Sequence, residues 1–575
     1  MAGTGYTAEK GVIHLDHNIL IGGAAGQGMD TLSGLFQHSL QRNGYHVFVH
    51  KDYMSRVRGG HNFIQIRFSD TPLVSHCDPL DLMVALDERT IEEHRSRLKP
   101  EGFMLVDEKL KEIAPEAFTL PIEASAKEAG NVKTATSVFL GVLLKWYGLP
   151  LEPTEAILLE AFRGRSPEVN LKALQAGAGL TETRVSLPEG RQKDHLLIDG
   201  NQAIALGAIA AGVTFYSAYP MTPSTSIMNT LAARQTEAGL VVEQAEDEIA
   251  AINMAIGANY AGIRAMTGTS GGGFSLMTEA LGLSGITETP LVIANVQRPG
   301  PATGFPTRTE QSDLSFILTA SHGEIPRMIT ALRKPEECFY QTARAFNLAE
   351  KYQLPVILLS DQYLADYTVT VPPFDVSQVT IERHLVDGSD YNAQKPYQRY
   401  ALTEDGISPR LIPGKAKGQV VLADSDEHDE AGHITESAEM RISMMKKRMG
   451  KLELLRKEIQ EPWHLGAEKP EILILAWGST AGPLEEALEQ LKTEESFPAI
   501  GALVFGDLWP LPTGKLTALA ADASILINIE QNYTGQLARL VRQETGLECH
   551  KSYLKYDGRQ MTPENIVTAL KKEVL

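Results

Sequence analysis

Residues 18–44, NILIGGAAGQGMDTLSGLFQHSLQRNG, pass from an apolar run through four glycines into a stretch whose apolar residues recur at helical spacing. That order predicts a strand, a glycine loop and a helix. Further apolar runs, Leu82-Met-Val-Ala-Leu86 and Gly102-Phe-Met-Leu-Val106, alternate with polar helical stretches, the pattern of an α/β sheet with crossover helices. The alternation resumes at Gly200, runs to the buried-strand signal Leu354-Pro-Val-Ile-Leu-Leu-Ser360, and returns at Glu471-Ile-Leu-Ile-Leu-Ala476 and Ser524-Ile-Leu-Ile-Asn-Ile529. A chain of 575 residues exceeds the ~250 residues that one hydrophobic core usually serves, so the expected fold is three α/β domains.

Composition divides the chain and narrows its chemistry. Turn formers and charge in LPEGRQKDH close a first domain, 1–190, and a second runs over 191–378. Residues 379–468 carry the acidic run Asp424–Glu430 and a charged helical pattern from Met440, which read as a connector with a helical arm, and 469–575 form a third domain. Fifty-three Lys and Arg against 72 Asp and Glu, a formal charge of −19, argue against a nucleic-acid partner. Cys77, Cys338 and Cys549 lack any CxxC spacing, so no disulfide framework, zinc site or four-thiolate cluster is expected, and no metal ligands are assigned to this chain. The N-terminal stretch has no basic segment leading into an apolar one, and no run of ~20 apolar residues follows, so a cytoplasmic protein without membrane contact is expected.

Six motifs carry chemistry. Gly22, Gly23, Gly26 and Gly28, with Gln27 among them, let backbone amides approach an anion at a helix N-terminus, although such a loop also serves tight packing. Ser55-Arg-Val-Arg-Gly-Gly60 sets Arg56 and Arg58 beside flexible glycines, suited to phosphates. In Ala218-Tyr-Pro-Met-Thr-Pro-Ser224, two prolines stiffen a loop at a strand end that presents Thr222 and Ser224, next to Tyr219 and Pro220. Glu248 leads directly into an almost wholly apolar helix, where a desolvated carboxyl can share a proton with a buried nitrogen base. Thr269 and Ser270 open a second glycine loop, and Arg298 follows the strand Leu291-Val-Ile-Ala-Asn295, a position suited to clamping a carboxylate.

These motifs, with TSGGGFSLM, VQRPGPATG and TEQSDL, resemble in content and order the 2-oxoacid:ferredoxin oxidoreductases, most closely the 2-oxoglutarate-specific α subunit with a γ domain fused at its N-terminus. The resemblance implies a γ-type domain closing over coenzyme A, a thiamine-diphosphate pyrimidine-binding domain and a transketolase-C-terminal-like domain. It implies that Glu248 contacts the aminopyrimidine, that Thr222 and Arg298 hold the 2-oxoacid carboxylate, and that Tyr219, Pro220, Ser224, Thr269, Ser270, Gly22, Gly26, Gln27, Gly28, Arg56 and Arg58 serve cofactors. Arg308, His322 and Arg327 are candidates for a distal carboxylate. A GDG motif for pyrophosphate and Mg2+ is absent from the sequence, so a β subunit is expected to supply it together with the [4Fe-4S] cluster, in a dimer of heterodimers that reduces ferredoxin. Other readings stay open: a pyruvate or branched-chain enzyme, a thiamine enzyme without electron transfer, or a coenzyme-A-binding scaffold.

Overall fold

The computed structural model describes residues 6–9, 12–54, 60–392, 394–494 and 497–574. Among these, strands assemble into three sheets, and the chain separates into two compact units. The first unit comprises residues 1–199 with 366–373 and 562–564. Its sheet runs Phe118–Leu120, Leu98–Asp107, Leu80–Ala85, Val12–Gly23, Asn62–Ser69, His46–Asp52, Thr368–Val371, Leu196–Asp199, with Tyr6–Glu9 pairing on Val12–Gly23. Val12–Gly23 is parallel to Leu80–Ala85 and antiparallel to Asn62–Ser69, so its glycine end lies where Gly23 opposes Asn62. The helix Met29–Arg42 turns Leu32, Leu35, Phe36 and Leu40 into a core shared with Ile19, Ile21, Val47 and Phe68. Two strands of this sheet, Leu196–Asp199 and Thr368–Val371, come from stretches that composition assigns to the second block. They pair with each other, and Val369 lies opposite Phe48.

The second unit holds two sheets. One runs Val241–Gln244, Phe215–Ala218, Ala265–Thr269, Leu291–Gln297, Pro355–Asp361, Met328–Ala331, Asp507–Trp509, parallel except for the last strand. Its central strands Ala265–Thr269, Leu291–Gln297 and Pro355–Asp361 are buried along their whole length, as parallel strands covered on both faces must be. The other sheet runs Trp463–Gly466, Ile500–Phe505, Ile472–Trp477, Ile525–Glu530, Lys551–Leu554. One core joins the two sheets, with Ile293, Ile329 and Leu359 packed in the same cluster as Leu475, Trp477 and Phe505. The helix Ala438–Leu455 lies on this unit through a buried ion cluster, in which Lys447 and Lys451 both pair with Glu288. None of the described helices is long and apolar enough to cross a membrane.

Candidate functional site

Phe215–Ala218 has Val241–Gln244 on one side and Ala265–Thr269 on the other. The chain therefore leaves this strand in one direction and returns on its far side, and the crevice beyond such strand ends is where open α/β sheets hold ligands. Three motif segments start at the ends of neighbouring parallel strands: the loop Tyr219–Ser224 after Phe215–Ala218, the helix Gly271–Leu276, which stands where a second glycine loop was expected, after Ala265–Thr269, and the loop from Arg298 after Leu291–Gln297.

The helix Glu248–Tyr260 buries Ala251, Ile252, Ala255, Ile256 and Asn259, and the same stripe extended backwards turns Glu248 inward to 3% exposure. Asp247 serves instead as the cap, its carboxylate accepting from the Ala250 N–H at 2.7 Å. Oε1 of Glu248 is buried without a hydrogen-bond partner, as is the hydroxyl of Ser270, while the Thr269 hydroxyl donates to the Ser270 carbonyl at 3.3 Å. Leaving such an atom unpaired costs about 1–3 kcal/mol, which a ligand donor would offset. The wall opposite is backbone. A Cβ on Gly273 would lie 2.4 Å from Glu248 Oε1 and 2.2 Å from Thr269 Oγ1. Gly273 lets the carboxyl pack against the helix, and its orphaned buried oxygen suits a ring nitrogen or amino donor such as an aminopyrimidine offers.

Arg298 and Thr222 meet: Nη1 of Arg298 donates to the Thr222 carbonyl at 2.7 Å. Among the described residues the Thr222 hydroxyl makes no hydrogen bond, and the residue is exposed. Burial lowers the pKa of the half-buried Arg298, and the nearby Asp313 carboxyl partly opposes that shift. Ser224 is committed locally, since its hydroxyl donates to the Met221 carbonyl at 2.8 Å. Tyr219 is exposed and Pro220 half-buried on the same loop. Asp313, which the motif reading left without a role, sits against Gly271, and Asn295 Nδ2 donates to its carboxylate at 3.0 Å. Its place in TEQSDL is the signal that could have singled it out.

The three distal candidates separate. Arg308 stays on the loop that carries Arg298, with its Cβ 3.1 Å from where a Cβ on Gly558 would lie. His322 is exposed and lines a different cavity, of about 230 Å3, with Glu279, Arg441, Met445 and Arg448. Arg327 is 4% exposed, its Nη1 donates to the Ile317 carbonyl at 2.7 Å, and burial lowers its pKa to about 10. It ties the helix Leu314–Thr319 to the strand Met328–Ala331, and the structure does not bring it to Arg298.

The first unit has a cavity of about 450 Å3 at the glycine loop, lined by Gly26, Gln27, Gly28, Asp107, Lys109 and Lys133 among others. Gly26 and Gly28 have φ of 94° and 80°, a left-handed backbone that other residues rarely adopt. Gln27 folds its side chain back to accept from the Ala24 N–H at 2.8 Å. Gly22 does not line this cavity: a Cβ there would lie 2.4 Å from Thr90 Cγ2, so its glycine serves strand-to-helix packing. Lys109 and Lys133, which no motif marks, also line the cavity, with Lys109 paired to Glu123 of the same lining and Asp107 beside them. Arg56 and Arg58 lie outside the described residues.

Family models match three parts of the chain: pyruvate ferredoxin/flavodoxin oxidoreductase over 18–180, the thiamine-diphosphate-binding part of pyruvate flavodoxin/ferredoxin oxidoreductase over 206–447, and pyruvate:ferredoxin oxidoreductase core domain II over 470–566. The chain is 33% identical to a Sulfolobus 2-oxoacid:ferredoxin oxidoreductase subunit alpha, over 96% of each. It is 29% identical to the 2-oxoglutarate oxidoreductase subunit KorA of Mycobacterium tuberculosis, over 91% of this chain and 86% of that one. Among solved structures, a 2-oxoglutarate:ferredoxin oxidoreductase from Magnetococcus marinus, with 2-oxoglutarate, coenzyme A and succinyl-CoA bound, superimposes with a TM-score of 0.90 at 32% identity, covering 97% of this chain and 100% of that one.

Proposed function

The chain belongs to the 2-oxoacid:ferredoxin oxidoreductase family as an alpha subunit, and from that premise we propose that it acts on 2-oxoglutarate, with coenzyme A and ferredoxin, to give succinyl-CoA and CO2, or in the reverse direction. The observation that carries this is the meeting of Arg298 with Thr222 at the same sheet edge as the buried, unpartnered Glu248 carboxyl. Thiamine diphosphate, when bound, supplies the electron sink that lets the bond between the keto carbon and the carboxylate break. Glu248 would hold the aminopyrimidine through its free Oε1, with Thr269 and Ser270 beside it and Tyr219, Pro220 and Ser224 shaping the loop. Arg298 clamps the C1 carboxylate in a charge-assisted pair, and Thr222 offers its hydroxyl to the same group. Arg308, on the clamp's own loop, is the candidate for the distal carboxylate.

On this reading the four segments, 1–190, 191–378, 379–468 and 469–575, are the γ-type domain, the pyrimidine-binding domain, the connector and the transketolase-C-terminal-like domain, save that the strands Leu196–Asp199 and Thr368–Val371 of the second segment join the γ-type sheet. The cavity at Gly26–Gly28 takes the anionic part of coenzyme A, with Lys133 in its lining and Arg56 and Arg58 as further phosphate contacts. A β subunit contributes the GDG motif, Mg2+ and the [4Fe-4S] cluster, which three scattered cysteines here cannot ligate. The names of the Magnetococcus and Mycobacterium relatives support 2-oxoglutarate over other 2-oxoacids. A panel of 2-oxoacids assayed on the complex with its co-purified partner, coenzyme A and a low-potential acceptor tests the reading. Preference for 2-oxoglutarate is expected, and faster turnover of pyruvate or a branched-chain acid would replace it.

A further inference from the structure

Building on the clamp reading above, we propose that Asp313 is its positioning residue, closing the loop that carries Arg298 and sharing that guanidinium with the carboxylate of the incoming 2-oxoacid. The loop leaves the fully buried strand Leu291–Gln297 at Arg298 and returns at Asp313. Both of its ends are tied through that residue. The Asp313 N–H donates to Gln297 Oε1 at 3.0 Å, and its carboxylate accepts from Asn295 Nδ2 at 3.0 Å. Gln297 is itself held, its Nε2 donating to the Ser360 carbonyl at 3.1 Å. Asn295 and Gln297 lie two residues apart, on one face of the strand, so Asp313 is fixed at two points of a rigid element.

Gly271 makes room for this arrangement, because a Cβ there would lie 2.5 Å from both carboxylate oxygens. Two residues on, Gly273 does the same for Glu248. The two carboxyls therefore flank one glycine run. Arg298 spends one N–H on Thr222 and lies beyond ion-pair distance of Asp313, so the two attract only at longer range, while burial raises the Asp313 pKa to about 6 against the pull of Asn295 and Arg298. The other charged residues on this loop are Arg308 and Glu310, and the Glu310 carboxyl is raised to about 7 by burial and by Asp313 and Asp557. A substrate carboxylate arriving at Arg298 brings a second negative charge towards Asp313. Either binding weakens or Asp313 takes up a proton, so affinity should fall as pH rises through the Asp313 pKa.

The test uses the whole complex and oxamate, a 2-oxoacid-shaped carboxylate that cannot lose CO2, titrated calorimetrically in two buffers of different ionisation heat. In the unaltered complex the oxamate Kd should rise about tenfold between about pH 5.5 and pH 8, the effect of one pKa unit, with proton uptake on binding. Asp313→Asn keeps an oxygen for Asn295 but loses the charge, so it should hold the low-pH affinity throughout and take up no proton. Asp313→Ala also opens the loop and should bind several-fold more weakly than Asp313→Asn at every pH, with thermal melts confirming folded protein. An unchanged pH slope in Asp313→Asn, or a slope that vanishes only in Glu310→Gln, overturns the charge-sharing. Equal affinity of the Asn and Ala variants overturns the loop-closing role. If Arg298→Ala bound oxamate as tightly as the unaltered complex, the clamp reading itself would fall, and this inference with it.

Discussion

Adding one methyl group at Gly273 should separate catalysis from folding at this site. The Cβ of Gly273→Ala would lie 2.4 Å from Glu248 Oε1 and 2.2 Å from Thr269 Oγ1, where ordinary contact begins at 3.4 Å, so each oxygen must retreat by about 1 Å. The carboxyl is the far end of a flexible side chain and can move by a χ rotation, whereas the helix backbone behind Gly273 cannot. Helix propensity favours Ala over Gly by up to about 1 kcal/mol, offsetting part of an overpacking cost of about 1–3 kcal/mol, so the loss of stability should stay near or below about 2 kcal/mol. A 1 Å misplacement of a catalytic group can cost roughly a hundredfold in rate. Gly272→Ala is the matched control, since its Cβ would meet nothing closer than the Ala302 carbonyl at 3.8 Å. Turnover of 2-oxoacid by the complex, with coenzyme A and a low-potential acceptor, should therefore fall about a hundredfold in Gly273→Ala and stay near normal in Gly272→Ala. Thermal melts should differ little between the two. Retention of full turnover by Gly273→Ala would show that the position of Glu248 does not limit the reaction.

Other outcomes follow from the same geometry. Glu248→Gln should nearly abolish turnover while the complex still assembles, and near-normal activity would remove Glu248 from the mechanism. Arg298→Ala should raise the KM of every 2-oxoacid by about 10- to 100-fold, the equivalent of about 1.5–3 kcal/mol for a charge-assisted contact, without changing their ranking; a change of ranking would assign Arg298 to the distal carboxylate. Glu288 is buried between Lys447 and Lys451, which hold its carboxyl well below the usual range. Glu288→Ala strands two buried ammonium groups and should lower unfolding stability by about 3–5 kcal/mol in a denaturant titration, and a loss below about 1 kcal/mol would show the lysines to be neutral or solvated. The isolated chain should bind no stoichiometric iron by metal analysis, and iron at one cluster per chain would contradict a cluster on the partner.

The α/β class and the residues worth watching were legible without coordinates because both rest on local pattern. A glycine loop between an apolar run and a helical period announces its own geometry, and Glu248 is placed by its spacing from Ala251, Ile252 and Ala255 along one helix. Family likeness added roles to Thr222 and Arg298, but not their contact, which joins residues 76 positions apart. Arg298 follows a strand and Arg327 precedes one, but that position does not say which of them reaches a ligand. Only packing shows that one reaches Thr222 while the other is walled in against the Ile317 carbonyl. Gly22 and Gly26 likewise look alike in a string of glycines, yet one faces Thr90 and the other open space. The strands Leu196–Asp199 and Thr368–Val371 are four residues each, too short to show a period, and their membership in the first sheet depends on partners such as Phe48, more than three hundred residues from Val369. Asp313 owes its position to Asn295, Gln297 and Gly271, which come from one strand end and a helix start. Periodicity encodes what neighbours along the chain will do, whereas contacts made across the fold depend on the packing of every element between them.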